Sequence, residues 1–549
     1  MSPPPAAHSQ LHSSAPLKPA WTLHLLLFAL LFAGLMLLHA PLLRLPYFWD
    51  EAGYYIPAAR DLLLTGSPIP HSTLSNAHPP LVMAWLALAW RVFGYSPLVT
   101  HTAMLTVAAF SLLGLFRLAK AVTNFEIACS ATLLTAIYPV FFTQSSLTHI
   151  DLAAAGFTYW ALLAYIEDCP WKLALWFSLA ALAKETAIVI PLALFAWHLI
   201  AWHLIARFVP AQREKVSPPP GRRIVALHLL IPLFPLACWF AYHHAKTGFF
   251  LGNPDYLRYN LGATINPLRV PLAFGMRLWQ VFGYFGLYLL TASALLSWLF
   301  LPQDDAAVVR PGFAKWQRAA FAAVSLAYLL FVSVAGGAVL GRYLLPVLPV
   351  TILFSVTALR QRLQRWKLII AAAAIAFVAG WFTNPPYGFS LEDNFAYRDF
   401  VVMHAEASRF LAMRYPNALV LTAWPASDEL TRPWLGYVAR PFRVLRIEDF
   451  TSAQIDLASS TARSNFDVAF VFSTKYQPSH EWFAGWSAWQ GLKERFFGYH
   501  RDLPPEEIAR RLGGTIVFHK EGNGLWAAVI EIEKAQEADA RPAENYSNR

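Results

Sequence analysis

The stretch Trp21–Leu38, WTLHLLLFALLFAGLMLL, followed shortly by Tyr47-Phe48-Trp49-Asp50-Glu51-Ala52, decides how this chain is read. The first run holds no Asp, Glu, Lys or Arg. A helix that crosses a bilayer needs about 20 predominantly apolar residues, whereas the apolar core of a cleaved leader has about 7–15. The run therefore reads as an uncleaved first membrane span. The acidic pair after it then falls at a water–lipid boundary.

Outward from this span the pattern recurs. Apolar runs at 21–41, 98–119, 126–143, 150–167, 172–184, 185–206, 224–246, 271–301, 319–338, 343–359 and 367–383 predict about eleven spans. Composition agrees: of 549 residues 57% are hydrophobic and 14% charged, where soluble domains carry about a quarter charged residues. Mean hydropathy is +0.41. The 21 Trp and 21 Tyr are residues that favour bilayer interfaces. The net charge of +10 fits Lys and Arg gathered in cytoplasmic loops. No basic run leads into a nucleic-acid motif, so no nucleic-acid partner is expected. Cys129, Cys169 and Cys238 lack metal-type spacing, which argues against a disulfide framework or a cysteine zinc site.

Loop charge sets the orientation. A cytoplasmic N-terminal tail, 1–20, places Arg117 and Lys120; Arg207, Arg213, Lys215, Arg222 and Arg223; Arg310, Lys315 and Arg318; and Arg360, Arg362, Arg365 and Lys367 on the inside. The scarce ionisable residues at span ends then share the outer face: Asp50, Glu51, His149, Asp151, Lys184, Glu185 and Arg342. Ionisable groups at membrane depth are costly and usually face a cavity and pair with one another. One polar site on the outer face accounts for all of them.

Within the first outer loop, 42–97, Ala52, Tyr55, Ile56, Ala59, Leu62 and Leu63 repeat at helical spacing, with Glu51, Tyr54, Arg60 and Asp61 opposite. This predicts an interfacial helix. Leu81–Val92 is too short to cross alone and is expected to lie there too. From 385 to 533, β-rich runs at Ala418–Thr422, Arg443–Ile447, Val468–Phe472, Thr515–His519 and Trp526–Ile532 alternate with helical patterns such as Phe395–Arg414. The expectation is an α-helical polytopic membrane protein, membrane region 21–384, with a C-terminal extracytoplasmic α/β domain. Pro218–Pro220 marks a cytoplasmic linker, and the tail 534–549 reads as disordered.

Five motifs could carry chemistry. Asp50-Glu51 offers a carboxylate that could take a proton from an acceptor hydroxyl, or Asp50 could simply cap a helix. Asp151, in Thr148-His149-Ile150-Asp151, could orient an acceptor, cap a helix, or hold a divalent metal with Asp50, since hard cations take oxygen ligands. His78, before Pro79-Pro80, could contact a phosphate or sugar hydroxyl. Lys184-Glu185 could stabilise an anionic leaving group or form a local ion pair. Arg342, in Gly341-Arg342-Tyr343-Leu344-Leu345-Pro346-Val347-Leu348-Pro349, could grip phosphate bidentately at the end of a proline-kinked span. Arg258, with Asp255 and Tyr259 in the outer loop, could add a phosphate contact.

In this order the motifs resemble the landmarks of GT-C glycosyltransferases of the family 39 type, the group of protein O-mannosyltransferases and lipid A aminoarabinose transferases, over about residues 20–385. The resemblance implies an inverting transfer of a sugar from a polyprenyl-phosphate donor to a lipid, glycan or protein acceptor, in a bacterial inner membrane with the site periplasmic. Asp50 would be the general base and Asp151 would assist at the acceptor or a metal, with Glu51 the third acid of the candidate catalytic set. Lys184, Arg342 and Arg258 would hold the phosphate, with His78, His149, Glu185 and Tyr343 completing the substrate site. Many aminoarabinose-type and related members carry Lys before the Pro-Pro, where this chain has His78. No cofactor is implied; a divalent metal, held by Asp50 and Asp151, is the one candidate. A transporter is the non-enzyme alternative, but transporters place charge near the midplane at broken helices.

Overall fold

The computed structural model describes residues 20–200, 223–258, 264–301, 312–462, 465–478 and 480–533. Outside the described residues lie the N-terminal tail, Arg207, Arg213, Lys215 and Arg222, the linker at Pro218–Pro220, Tyr259, Arg310, the side chain of Asp255 and the tail from 534.

Among the described residues, each expected span but 343–359 coincides with a helix or a broken pair of helices, and the end of 185–206 past Ile200 lies outside them. Trp21–His39, Pro97–Val122, Ala226–Thr247, Arg269–Phe300 and Lys315–Val334 are long and apolar enough to cross a bilayer. Phe125–Ile137, Ile150–Ile166, Pro170–Ala183, Glu185–Ile200 and Trp366–Phe382 are shorter apolar helices. The chain is an integral membrane protein. Two breaks have local causes. Tyr138 is extended (ψ 127°) because it precedes Pro139, which opens the next helix. Phe285 and Gly286 both take positive φ between helices Arg269–Phe282 and Leu287–Phe300.

One expected span differs at its start. Arg342 does not sit on a kinked membrane helix; Gly341–Leu344 is a separate 3-10 turn, and the helix runs Leu348–Arg362. Pro349 occupies its first turn, where a missing N–H costs nothing. The prolines thus set a boundary, and Arg342 is left on a turn at the bundle end.

The first loop is more deeply packed than amphipathic spacing implies. A π-helical turn, Glu51–Tyr55, leads into helix Ile56–Thr65, and Leu81–Phe93 follows. The predicted apolar face is buried at Ala52, Tyr55, Ile56 and Ala59. The face expected to meet water is buried too, at Glu51 and Asp61. The C-terminal domain covers it: the Trp424 indole lies so close to Gly53 that a Cβ there would come within 2.8 Å of it. Tyr437 Oη donates to the Tyr47 carbonyl at 3.0 Å.

The C-terminal domain is a five-stranded sheet of order β2-β1-β3-β5-β4, with β1 Leu419–Ala423, β2 Arg443–Ile447, β3 Val468–Phe472, β4 Gly514–Gly522 and β5 Leu525–Ile532. β1 pairs in parallel with β2 and β3, and β5 runs antiparallel to β3 and β4. The run VAFVF is wholly buried at the sheet centre, whereas edge strand β2 carries Arg443 and Arg446, charges that discourage further pairing. Helix Ala396–Arg414 covers the sheet, and its Phe400 meets Phe48 edge-on at 5.6 Å. Membrane loop and sheet domain therefore share one apolar core.

Candidate active site

Arg342 is the centre of the site. It is 2% exposed, yet its guanidinium meets three carboxylates. Nη2 donates to Asp50 Oδ2 at 2.5 Å, Nη1 to Glu392 Oε2 at 2.8 Å, and Nε lies 3.4 Å from Asp151 Oδ2. Nη1 also donates to His149 Nε2 at 3.0 Å, while His149 Nδ1 pairs with Gln144 Oε1 at 2.7 Å. Burial, then the charges of Arg342 and Lys184, hold the His149 pKa well below its ordinary value, so the ring is a neutral acceptor here.

Lys184 supplies the second cation. Helix Pro170–Ala183 ends at Lys184, whose extended backbone (φ −151°, ψ 127°) turns the side chain away from its neighbour Glu185. Its Nζ donates to Asp151 Oδ1 at 2.5 Å and sits 4.0 Å from the Tyr343 ring centre. Glu185 instead pairs with His78 Nδ1 at 2.8 Å, and His78 Nε2 lies 3.4 Å from Tyr256 Oη. The local Lys184–Glu185 pair is thus absent, and His78 is committed to a carboxylate. Arg258 lies exposed just beyond Tyr256.

Asp50 and Glu51 have opposite environments. The Asp50 side chain is 33% exposed, against 3% for Asp151 and 4% for Glu392. It precedes the π-helical turn but caps no N–H. Asp151 also caps nothing; it lies inside the first turn of its helix. Trp49 before Asp50 has φ +39°, a conformation that bulky residues rarely adopt and that packing must enforce. The Trp49 ring packs edge-on against Trp424 at 5.0 Å and Phe400 at 5.5 Å, which supplies that enforcement. Both Glu51 oxygens are taken by backbone amides, Phe48 N–H at 2.8 Å and Thr148 N–H at 2.6 Å. Glu51 therefore ties the Asp50 turn to the start of the Asp151 helix. Burial pushes its pKa up to about 7, with Asp50 adding to the rise.

The charge pattern around Arg342 leaves acid in excess of base. Burial, opposed by Arg342 and reinforced by Asp50, Asp393 and Asp151, raises the Glu392 pKa. Asp393 is pushed up to about 7 by burial, while accepting from Tyr284 Oη at 2.7 Å. Asp50 and Asp151, expected as candidate ligands of a divalent cation, both lie against Arg342, and Asp151 also pairs with Lys184. Among the described residues no group of three or more His, Cys, Asp or Glu is arranged to hold a metal.

Sequence reasoning missed two elements. Leu391-Glu392-Asp393 follows the last span as Asp50-Glu51 follows the first, and the same boundary argument applies to it. Arg277 is 1% exposed, its guanidinium donating to the Leu340 carbonyl at 2.7 Å and the Ala338 carbonyl at 3.2 Å, 5.6 Å from the Tyr343 ring. An arginine inside an expected span is itself a signal.

No family model matches the chain, and no curated protein matches it. Among solved structures, ArnT from Cupriavidus metallidurans bound to undecaprenyl phosphate superposes with a TM-score of 0.54 at 13% identity, covering 93% of this chain and 98% of that one. The apo state of the same protein gives 0.50 at 13% identity, covering 94% and 99%. A likeness this distant in sequence, spanning both the helical bundle and the sheet domain, establishes the architecture: the chain has the fold of ArnT.

Proposed function

We propose that this chain is an inverting glycosyltransferase that moves a sugar from a polyprenyl-phosphate donor to the hydroxyl of a lipid or glycan acceptor, at the periplasmic face of a bacterial inner membrane. The observation that carries this reading is the Arg342 cluster, in which Asp50 alone among the guanidinium's three carboxylates opens to solvent. Undecaprenyl phosphate bound to ArnT, the protein of like fold, supports the donor class. In the reaction, the acceptor oxygen bonds to the anomeric carbon as its proton passes to Asp50. The bond from that carbon to the phosphate oxygen breaks, and the lipid phosphate leaves with the electron pair. A single displacement inverts the anomeric centre. Arg342 fixes the Asp50 carboxylate, and Lys184 and Arg277, both against the Tyr343 ring, form the cationic side on which the leaving phosphate gathers charge.

Beneath the cluster the helices close on Leu152, Tyr159, Leu345 and Leu348, all buried. Tyr159 Oη donates to the Leu345 carbonyl at 2.5 Å. The test is turnover of defined polyprenyl-phosphate sugars by the purified chain in nanodiscs, read as release of free polyprenyl phosphate. Asp50→Asn is expected to slow release by roughly 100- to 10,000-fold, the usual worth of a general base; undiminished release would remove Asp50 from that role. For orientation, an impermeant thiol reagent should reach cysteine placed at Leu457 from outside and not at Arg318, in a chain whose Cys129, Cys169 and Cys238 are Ser.

A further inference from the structure

The C-terminal domain carries a second unusual surface, away from the charged cluster. In Glu481-Trp482-Phe483-Ala484-Gly485-Trp486, the rings are 48% (Trp482), 63% (Phe483) and 56% (Trp486) exposed. Three large aromatics side by side in water are unfavourable, and such patches mark contact surfaces. Phe483 also has φ +61°, a backbone conformation uncommon for an aromatic residue, which a purely solvated loop would relax.

The placement of this turn is fixed by the membrane helices. Trp482 N–H donates to the Pro386 carbonyl at 2.8 Å, and its ring lies 5.3 Å from Tyr387 and 6.1 Å from Trp279. The helix that follows, Ser487–Phe497, is held by Arg269, whose Nε donates to the Phe496 carbonyl at 3.0 Å. Trp279 and Phe282, on helix Arg269–Phe282, and Phe382, the last residue of Trp366–Phe382, are exposed at 39%, 49% and 60%. These are the rings expected where apolar helices leave the bilayer. The patch on the sheet domain is continuous with them.

We propose that the Trp482–Trp486 turn is seated in the bilayer, its rings in the headgroup–acyl boundary of the leaflet beneath the sheet domain. Lipid is the partner that fits, because indole rings straddle that boundary and the neighbouring rings already belong to membrane helices. The seat holds the sheet domain at a fixed height, and with it the Glu392 carboxylate against Arg342.

The test uses the full chain in nanodiscs, with Cys129, Cys169 and Cys238 replaced by Ser and one spin label placed in turn at Trp482, Phe483, Trp486 or the exposed control Leu457. Labels on the turn should collide with oxygen more than with an aqueous nickel chelate, and the label at Leu457 should show the reverse. Each turn position reads the same question, so loss of one variant leaves two. Chelate accessibility on the turn equal to that at Leu457 would overturn the proposal. So would dipolar broadening between copies, which would identify a second chain as the partner.

Discussion

Two buried clusters of ionisable side chains in this chain are built to opposite plans. In the sheet domain, His404 Nδ1 lies 2.7 Å from Glu429 Oε2, with side-chain exposures of 1% and 0%. The rings of Phe400, Phe472 and Phe470 close around the imidazole at 3.9, 4.4 and 5.1 Å. At the end of the helical bundle, one guanidinium serves three carboxylates and an imidazole, and one of those carboxylates reaches solvent. Buried charge alone therefore does not mark a reactive site. A matched, enclosed pair fixes one arrangement. An excess of acid beside an opening leaves a carboxylate able to exchange its partner for an incoming group.

The contrast can be broken most forcefully at its centre. Arg342→Gln strands Glu392 in a buried setting and leaves Asp151 to Lys184 alone, and removing one side of a buried ionic group costs about 3–5 kcal/mol. Thermal unfolding of the reconstituted variant should show that loss together with abolished transfer. Arg342→Lys should recover part of the stability but not the forked contact that holds Asp50 and Glu392 at once. In the sheet domain, His404→Ala should cost about 3 kcal/mol, the low end of the same range, because it strands only Glu429. Turnover per folded molecule should be unchanged. An equal loss of turnover would show that the two groups are not independent.

The smallest effect is a slope. The Asp393 pKa is raised from 3.8 to about 7, chiefly by burial. Between these values the folded chain binds the proton that the unfolded chain has lost, so stability falls as pH rises from about 4 to about 7. Glu51, raised to about 7 from 4.5, contributes in the same direction. Asp393→Asn should make the melting temperature less dependent on pH across this window. An unchanged slope would show that Asp393 titrates normally.

Much of the membrane architecture was legible because bilayer length and apolarity are local properties. The strands were legible too: Arg443–Ile447 and Val468–Phe472 have the bounds their β-rich runs imply. The charged cluster followed from scarce charges at span ends, and Asp50, His149, Asp151, Lys184 and Arg342 do converge. Long-range packing hid the rest. Helical spacing assigned Glu51 to a wet face, but nothing near it in sequence announces that Trp424 will close over Gly53. His78 read as a contact for a phosphate or a sugar hydroxyl, and nothing near it in sequence announces its pairing with Glu185, far along the chain. Glu392 was overlooked because the segment after the last span was read only as the start of a new domain. Its carbonyl accepts from Thr143 Oγ1 at 2.7 Å, a contact back into the bundle that secondary-structure patterning cannot encode.

The adjacent acids Asp50 and Glu51 offer the most direct test. Asp50→Asn and Glu51→Gln are compared for melting temperature and for carrier-phosphate release per folded molecule in the same nanodiscs. The account predicts that Asp50→Asn keeps its melting temperature and loses release. Glu51→Gln, which sets a side-chain amide against a backbone N–H, should lose about 1–3 kcal/mol of stability and retain release. Release that survives in Asp50→Asn and disappears in folded Glu51→Gln would contradict it.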